Sequence, residues 1–226
     1  MQLSNLAERR SVVPGIRMGV QGLLGVAAGY ALGNIPSADI ASRFSRTADD
    51  ADLRTVGSHN PGALNAARSL GKGWGAAVFT TDVAKGVAAA VIARRISGSN
   101  AANIACTAAV VGHCHPATGR PGGKGVATSI GQVLGTFPRY LPLDAAVAVG
   151  TAALPRWTQR TWAGTAVAST VWVASTTIAW SRGWSTGIDE RAPIALPIAA
   201  AMSSAVIARR FLQTPLVDGQ PVGDRP

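Results

Sequence analysis

Three short polar motifs lie between apolar stretches of this chain, and each is rich in glycine and in groups that bind anions. They are residues 57–65 (Gly-Ser-His-Asn-Pro-Gly-Ala-Leu-Asn), residues 82–86 (Asp-Val-Ala-Lys-Gly) and residues 112–127, where Gly-His-Cys-His-Pro precedes Gly-Gly-Lys-Gly-Val-Ala. Backbone N–H groups, hydroxyls and cationic side chains in such loops suit a phosphate group. Each motif lies at or near the end of a segment that resembles a membrane span, and polar residues at membrane depth are costly and usually carry function.

The composition favours a membrane protein. Of the 226 residues, 47% are hydrophobic and only 14% are charged, against about 25% charged residues in soluble proteins. A buried soluble helical domain is the alternative. The net charge of +10 indicates anionic partners such as lipid headgroups or phosphorylated substrates. Nucleic acid is disfavoured because the sequence contains no aromatic-interleaved basic patch and no recognised nucleic-acid-binding module.

The elements that must position these motifs are apolar helices. We predict an all-α integral membrane protein with about seven transmembrane helices in one bundle. The apolar segments are residues 18–40 (interrupted by Asn34 and Pro36), 74–93, 101–112, 126–137, 143–154, 162–180 and 192–208. The short middle segments need longer flanks or a thinner bilayer than an ideal span of about 20 residues. Residues 1–212 are then one membrane-embedded domain, and residues 213–226 are a disordered tail.

The predicted topology brings two of the motifs together. An odd number of spans places the termini on opposite sides, and the excess of Lys and Arg in alternate loops places the N-terminus outside. The first and third motifs then share the cytoplasmic face. The first segment is either a signal peptide cleaved near residues 31–33 or a retained span. We expect a retained span because residues 34–36 lead directly into the first motif region.

The first motif and the residues after it offer hydroxyl, amide and guanidinium groups to an anion. These groups belong to Ser58, Asn60, Asn65 and Arg68. An arginine fork and exposed N–H groups suit a phosphate. The alternative is a loop in which Ser and Asn cap a helix that begins near Pro61.

The third motif resembles an anion site at the N-terminus of a helix, with Lys124 as its cation. It is not a Walker A loop, because Gly125 stands where that loop needs Ser or Thr. The alternative is a basic turn next to the membrane. His113 is either a hydrogen-bond donor that faces the substrate or a packed interfacial histidine. We predict no metal, because His113, Cys114 and His115 in one short turn place ligands poorly.

The second motif lies within an apolar segment, at residues 74–93. Asp82 and Lys85 are three residues apart, so they share one face of a helix. We predict a structural ion pair that points into the bundle. No G-x-S-x-G element is present in the sequence, so a serine hydrolase is not indicated.

The order of the motifs resembles the bacterial membrane family of acyl-phosphate:glycerol-3-phosphate acyltransferases (PlsY). The resemblance covers roughly residues 20–135 and rests on six ordered motifs. They are Ile35-Pro36, residues 57–65, Leu70-Gly71-Lys72, residues 82–86, residues 112–116 and residues 122–128.

This resemblance implies an integral enzyme of the bacterial cytoplasmic (inner) membrane that uses no cofactor. It would move an acyl chain from acyl phosphate to the 1-hydroxyl of glycerol 3-phosphate, giving lysophosphatidic acid and phosphate for phospholipid synthesis. Ser58, Arg68 and Lys124 match family positions that hold the substrate phosphate, and we add Asn65 to this set. We expect His113 and Asn60 to be catalytic. In that family the substrate's own phosphate is thought to help remove the hydroxyl proton.

The chain departs from the family pattern in two places. Leu64 replaces the usual Thr of the first motif, and we expect this change to weaken acyl transfer and to narrow the pocket. The last apolar segment lacks the usual His-x-x-Asn pair before Arg209-Arg210. The alternative function is therefore a non-catalytic or repurposed membrane protein of the same fold that binds an anionic lipid or phosphate. A transporter is disfavoured because the motifs cluster at one face and not at the bilayer midplane.

Overall fold

The computed structural model describes residues 5–45, 52–156 and 159–214. Within these ranges the regular structure is helical and contains no strand, as the sequence predicts. The α-helices are α1 (Asn5–Gly33), α2 (Ser37–Phe44), α3 (Ala63–Ser69), α4 (Lys72–Cys114), α5 (Val126–Thr136), α6 (Leu141–Ala153), α7 (Arg160–Arg182) and α8 (Ala195–Gln213), with a short 3₁₀ helix at Pro138–Tyr140.

Helix α4 is a hairpin of two arms that fold back at Gly98. Gly98 has φ 83° and ψ −172°, a conformation that glycine adopts readily because glycine has no Cβ. The Cys106 thiol donates to the Gly86 carbonyl oxygen at 3.4 Å, so the arms lie side by side. The arms correspond to the predicted segments 74–93 and 101–112. By length and apolar composition, α4 and α8 are the two described helices that could cross a membrane.

Helix α1 packs closely along α4 through small residues. Gly25, Gly29 and Gly33 recur once per turn on the face of α1 that meets α4. A Cβ at Gly29 would lie 2.3 Å from the Ala105 carbonyl oxygen, so only glycine permits this approach. Such spacing is typical of close helix contacts in membranes. It brings the C-terminal end of α1 beside the end of α4.

The last three helices pack around an aromatic core. The rings of Tyr140 and Trp172 have centroids 4.8 Å apart, and Phe137 lies 6.1 Å from Trp172. Leu196 of α8 is fully buried in the same cluster. A second contact, through Phe211, joins α8 to the end of α4. Helix α8 is thereby fixed against the segment that carries the third motif.

One predicted boundary is confirmed and one differs. The interruption of the first apolar segment at residues 34–36 is confirmed, because α1 ends at Gly33 and α2 begins at Ser37. Pro36 lies between them and cannot donate a backbone hydrogen bond. The predicted tail begins at Gln213, which is the last residue of α8. Residues 215–226 of that tail lie outside the described residues.

Candidate active site

A buried ion pair lies in the first arm of α4. The Lys85 ammonium is 2.7 Å from the Asp82 carboxylate, and the two residues are 3% and 1% exposed. Asp82 also accepts a hydrogen bond of 2.6 Å from the Ser37 hydroxyl. Lys85 donates to the Ile35 carbonyl oxygen at 2.7 Å. These bonds satisfy both charges, which a buried pair requires.

His113 lies beside this pair, at the end of the second arm. Its Nδ1 atom is 3.5 Å from the Asp82 carboxylate, and the residue is 8% exposed. On its other side the backbone of Gly122 and Gly123 closes over the histidine. A Cβ at Gly123 would lie 2.2 Å from His113 Nε2, and one at Gly122 would lie 2.0 Å from the His113 carbonyl oxygen. The site therefore needs glycine at both positions.

A cavity of about 200 Å³ opens next to these residues, and we call it the polar cavity. Its wall comes from the end of α1, from α2, from α4 and from the loops that carry the first and third motifs. Lys85, Arg54 and Arg120 supply cationic groups, and His113 lies among them. Cationic and hydrogen-bonding groups around an enclosed space suit a phosphorylated ligand.

The predicted site residues divide into two groups. His113 and Lys85 line the polar cavity, and the Asp82 carboxylate contacts both of them. Within the described residues, the lining does not include the other predicted members of the site: Ser58, Asn60, Asn65, Arg68 and Lys124.

Asn65 is buried and organises the loop of residues 52–62, which we call the first-motif loop. Its amide nitrogen donates to the carbonyl oxygens of Leu53 at 2.8 Å and Val56 at 3.0 Å. Its amide oxygen accepts from the Ser58 backbone N–H at 3.1 Å. The side-chain amide of Asn65 thus shapes the segment that presents Ser58. Helix α3 follows at Ala63 without a side-chain cap, so the Ser or Asn cap considered as the alternative is not formed.

Three other residues of this region, Asn60, Arg68 and Leu64, lie in environments that differ from one another. The Asn60 side-chain oxygen is enclosed and has no hydrogen-bond partner among the described residues. Arg68 is exposed in the last turn of α3. Leu64 is 61% exposed and does not line the polar cavity, so it does not narrow that cavity as we expected.

Lys124 turns toward α8. Its ammonium lies 4.3 Å from the centroid of the Phe211 ring, which is a cation–π distance. Lys124 directly follows the glycine pair that closes over His113. The loop of residues 115–125, which we call the glycine loop, therefore connects the histidine to this cation.

Sequence reasoning missed a group of four charged residues at the rim of the polar cavity. Arg54 contacts Asp39 at 2.5 Å and Asp52 at 3.0 Å, and Arg120 contacts Asp52 at 2.5 Å. Burial alone would raise the pKa of Asp52, but the hydrogen bonds and charge of Arg54, aided by Arg120, bring that pKa below its usual value. Burial lowers the pKa of Arg54, yet the two carboxylates outweigh this and raise it. The contacts of Arg54 with Asp39 and of Arg120 with Asp52 span 15 and 68 positions, so no local sequence signal pairs these residues.

A second cavity, of about 220 Å³, lies between α5, α6, α7 and α8. Its wall is mainly apolar, with Val133, Ala148, Trp172 and Ile207 among the lining residues. Ser203 is also in the wall, in the segment where the family's His-x-x-Asn pair is missing. An apolar space of this kind suits a hydrocarbon chain.

A profile of the family described as glycerol-3-phosphate acyltransferase matches residues 23–213. The chain belongs to the glycerol-3-phosphate acyltransferase family. The match extends beyond the motifs of residues 20–135 to the end of α8, so the divergent last helices are part of the family domain.

Two relatives in this glycerol-3-phosphate acyltransferase family are each 46% identical to parts of the chain. The glycerol-3-phosphate acyltransferase of Nitrobacter winogradskyi matches over 117 residues, which are 51% of this chain and 58% of that protein. Glycerol-3-phosphate acyltransferase 4 of Dehalococcoides mccartyi matches over 114 residues, which are 50% of this chain and 60% of that protein. The aligned part thus spans less than two thirds of each relative.

The fold of this family member is similar to the crystal structure of PlsY, an integral membrane glycerol 3-phosphate acyltransferase, in its glycerol 3-phosphate form. The TM-score is 0.68 at 29% identity, over 85% of this chain and 88% of that one. The lysophosphatidic acid form of PlsY gives a TM-score of 0.64 at 28% identity.

Proposed function

We propose that this protein transfers an acyl chain from acyl phosphate to the 1-hydroxyl of glycerol 3-phosphate, with lysophosphatidic acid and phosphate as products. The single observation that carries the proposal is the polar cavity, where Lys85 and His113 meet beside the glycine loop. Family membership supports it, and so does the similarity to a glycerol 3-phosphate form of PlsY. The reaction uses no cofactor.

We place the acceptor in the polar cavity and the acyl chain in the apolar cavity. The apolar cavity begins at Val126, two residues after Lys124, so the glycine loop lies between the two spaces. The acceptor phosphate is held by Ser58, Arg68 and Lys124, with Asn65 shaping the loop that carries Ser58. These three side chains are not among the lining residues of the cavity, so they have to turn inward when the substrate binds, while the glycine loop keeps its position.

The chemistry follows from these positions. The acceptor hydroxyl oxygen attacks the carbonyl carbon of acyl phosphate, and the bond from that carbon to the phosphate oxygen breaks. The hydroxyl proton passes to a substrate phosphate oxygen. His113 and the enclosed oxygen of Asn60 hydrogen-bond the reacting groups. The Lys85 charge is compensated by Asp82, so this pair serves to hold His113 in place, with the Asp82 carboxylate 3.5 Å from His113 Nδ1.

Seven helical segments are the spans of the proposed membrane topology. They are α1, the two arms of α4, α5, α6, α7 and α8. Arg54 donates to the Pro121 carbonyl oxygen at 2.7 Å, so the first-motif loop and the glycine loop meet at one end of the bundle. We assign this end to the cytoplasmic side of a bacterial inner membrane, because basic residues favour that side.

Cysteine labelling tests this topology. In a variant without Cys106 and Cys114, we would introduce Thr55→Cys and Thr118→Cys, because both positions are exposed. Both cysteines should react with a membrane-impermeant reagent from the cytoplasmic side. Reaction from opposite sides would overturn the topology and separate the proposed site residues.

Activity is tested with purified protein in vesicles, acyl phosphate and labelled glycerol 3-phosphate. We expect labelled lysophosphatidic acid and an equal amount of phosphate, with no product when acyl phosphate is omitted. The second candidate function is binding of an anionic lipid or phosphate without turnover. The absence of the His-x-x-Asn pair, where Ser203 and Ser204 stand in the apolar cavity, favours that candidate. Saturable binding of glycerol 3-phosphate with no product would support it over the enzyme.

A further inference from the structure

Two arginines from different elements hold consecutive carbonyl groups of the glycine loop. Arg54 Nε donates to the Pro121 carbonyl oxygen at 2.7 Å. From α8, Arg210 donates to Gly122 through Nη2 at 2.6 Å and to Gly123 through Nε at 3.3 Å. All three carbonyls directly precede Lys124.

We propose that Arg54 and Arg210, here called the arginine pair, are positioning residues that fix the glycine loop so that Lys124 receives the acceptor phosphate. This inference rests on the proposed function. It assigns to both arginines a role that acts through the backbone of the loop and not through contact with the substrate.

The partners of Arg54 explain why it holds the loop and does not bind phosphate itself. Its guanidinium donates to both carboxylate oxygens of Asp39, at 2.5 and 3.3 Å, and to Asp52 at 3.0 Å. The side chain is only 14% exposed. Two carboxylates compensate its charge and occupy most of its five N–H donors. The remaining strong contact is the one to Pro121.

The buried partners of the loop explain why small movements matter. Gly122 and Gly123 lie against His113 so closely that neither tolerates a Cβ. Arg210 is 8% exposed, and its hydrogen bonds to the two glycine carbonyls are buried. Loss of either arginine frees the carbonyl it holds. The segment can then move away from His113, and Lys124 moves with it.

The beginning of the glycine loop has separate anchors, so the variants need not unfold the region. The Tyr30 hydroxyl donates to the His115 carbonyl oxygen at 3.1 Å. The Ala117 backbone N–H donates to the Asn34 side-chain oxygen at 2.6 Å. These bonds remain when the arginine pair is changed. The disturbance of the glycine loop is thus confined to residues 121–124, while Asp39 and Asp52 keep Arg120 as a partner.

Arg94 provides a matched control. It donates to Asp189 at 2.8 Å and to the Gly135 carbonyl oxygen at 3.1 Å, and its side chain is 23% exposed. It therefore joins a carboxylate and a backbone carbonyl from separate elements, as Arg54 does. It does not line the polar cavity within the described residues.

The experiment compares Arg54→Gln, Arg210→Gln and Arg94→Gln in the acyltransferase assay, with thermal unfolding measured on each. We expect the KM for glycerol 3-phosphate to rise about tenfold in the first two, as for loss of one charge-assisted contact, while kcat stays within about threefold. Arg94→Gln should leave KM unchanged. Arg54→Lys and Arg210→Lys should restore part of the affinity, because an ammonium can donate to one carbonyl.

An unchanged KM in both glutamine variants overturns the inference, and so does an equal rise in Arg94→Gln. If Arg54→Gln does not fold, the KM values of Arg54→Lys and Asp39→Asn test the inference instead, because each substituted side chain keeps a hydrogen-bonding group. A KM like that of the wild type in those two variants also overturns it. A wild type that transfers no acyl chain overturns the proposed function and this inference together, whereas an active wild type with unaltered variants overturns only the inference.

Discussion

Two regions of the molecule contain the same kind of arginine contact, but the contact has a different role in each. Near the fold-back of α4, Arg94 holds Asp189, Ser99 and the Gly135 carbonyl oxygen. Beside the glycine loop, Arg54 holds Asp39, Asp52 and the Pro121 carbonyl oxygen. We call these the turn end and the cavity end.

The difference lies in what surrounds each arginine. At the turn end, the partners close on one another, and Ser99 also donates to Asp189. At the cavity end, the contact borders a cavity of about 200 Å³ that contains Lys85 and His113. An arginine that is hydrogen-bonded to a carboxylate and a backbone carbonyl therefore indicates only a structural role. The neighbouring buried histidine and charged pair are what indicate chemistry.

The largest expected difference between the two ends is in stability. Asp82→Asn leaves Lys85 as a buried, uncompensated cation, which costs about 3–5 kcal/mol. Asp189→Asn at the turn end removes a partly exposed charge and should cost about 1–2 kcal/mol. Chemical unfolding in detergent measures both. The double variant Asp82→Asn/Lys85→Met should recover much of the loss, and equal losses at the two ends would contradict the comparison.

The next largest effect concerns the glycine pair. Gly122→Ala and Gly123→Ala place a Cβ within 2.0 and 2.2 Å of His113 atoms. The loop must shift by about 1 Å, and a misplacement of this size can lower a rate about a hundredfold. Gly150→Ala in α6 is the control, because a Cβ there has no atom within 4 Å. We expect its kcat/KM to match the wild type, and a full-rate Gly123→Ala enzyme would disprove the role of the loop.

Loss of the predicted phosphate contacts should have a smaller effect. Lys124→Ala and Arg68→Ala each remove a charge-assisted contact, which corresponds to about 1.5–3 kcal/mol or a tenfold to hundredfold weaker acceptor affinity. Arg95→Ala, an exposed cation at the turn end, should change nothing. Titration of glycerol 3-phosphate in the assay measures all three. If Arg95→Ala weakens binding as much as the other two, general charge and not the site is responsible.

The smallest effect is a pH dependence at the rim of the polar cavity. Because the folded-state pKa of Asp52 is below its usual value, its contribution to stability is present above about pH 4 and is lost as the pH falls through the folded value. Asp52→Asn should therefore cost at most about 1 kcal/mol at pH 7. The difference from the wild type should shrink as the pH falls and vanish once the pH is below the folded-state pKa of Asp52. Glu190→Gln, an exposed carboxylate at the turn end, is the control and should cause no such loss.

The helical framework was accessible from the sequence because it depends on local apolar runs. Segments 74–93 and 101–112 were predicted separately, and they are the two arms of α4 on either side of Gly98. Helix α2 was missed because it has only 8 residues and follows directly on α1. Short elements of this kind depend on tertiary contacts more than on local periodicity.

The site was accessible only where partners are close in sequence. Asp82 and Lys85 are one helical turn apart, so their pairing could be predicted. The contact between Asp82 and His113 depends on where α4 folds back, and the contact between Arg54 and Pro121 spans 67 positions. Neither follows from residue spacing. The exposed position of Leu64 likewise depends on how α3 packs.

The fold-back at Gly98 also has a consequence for insertion of the chain into the membrane during its synthesis. The first arm of α4 emerges with Asp82 and Lys85 already able to neutralise each other within one turn. In the proposed topology, this arm can therefore enter lipid before the second arm has been made. The second arm then returns as the other half of a hairpin and delivers His113 to a pair that is already in place. A substitution that breaks the ion pair between Asp82 and Lys85 would thus impair membrane insertion first, before any substrate is bound.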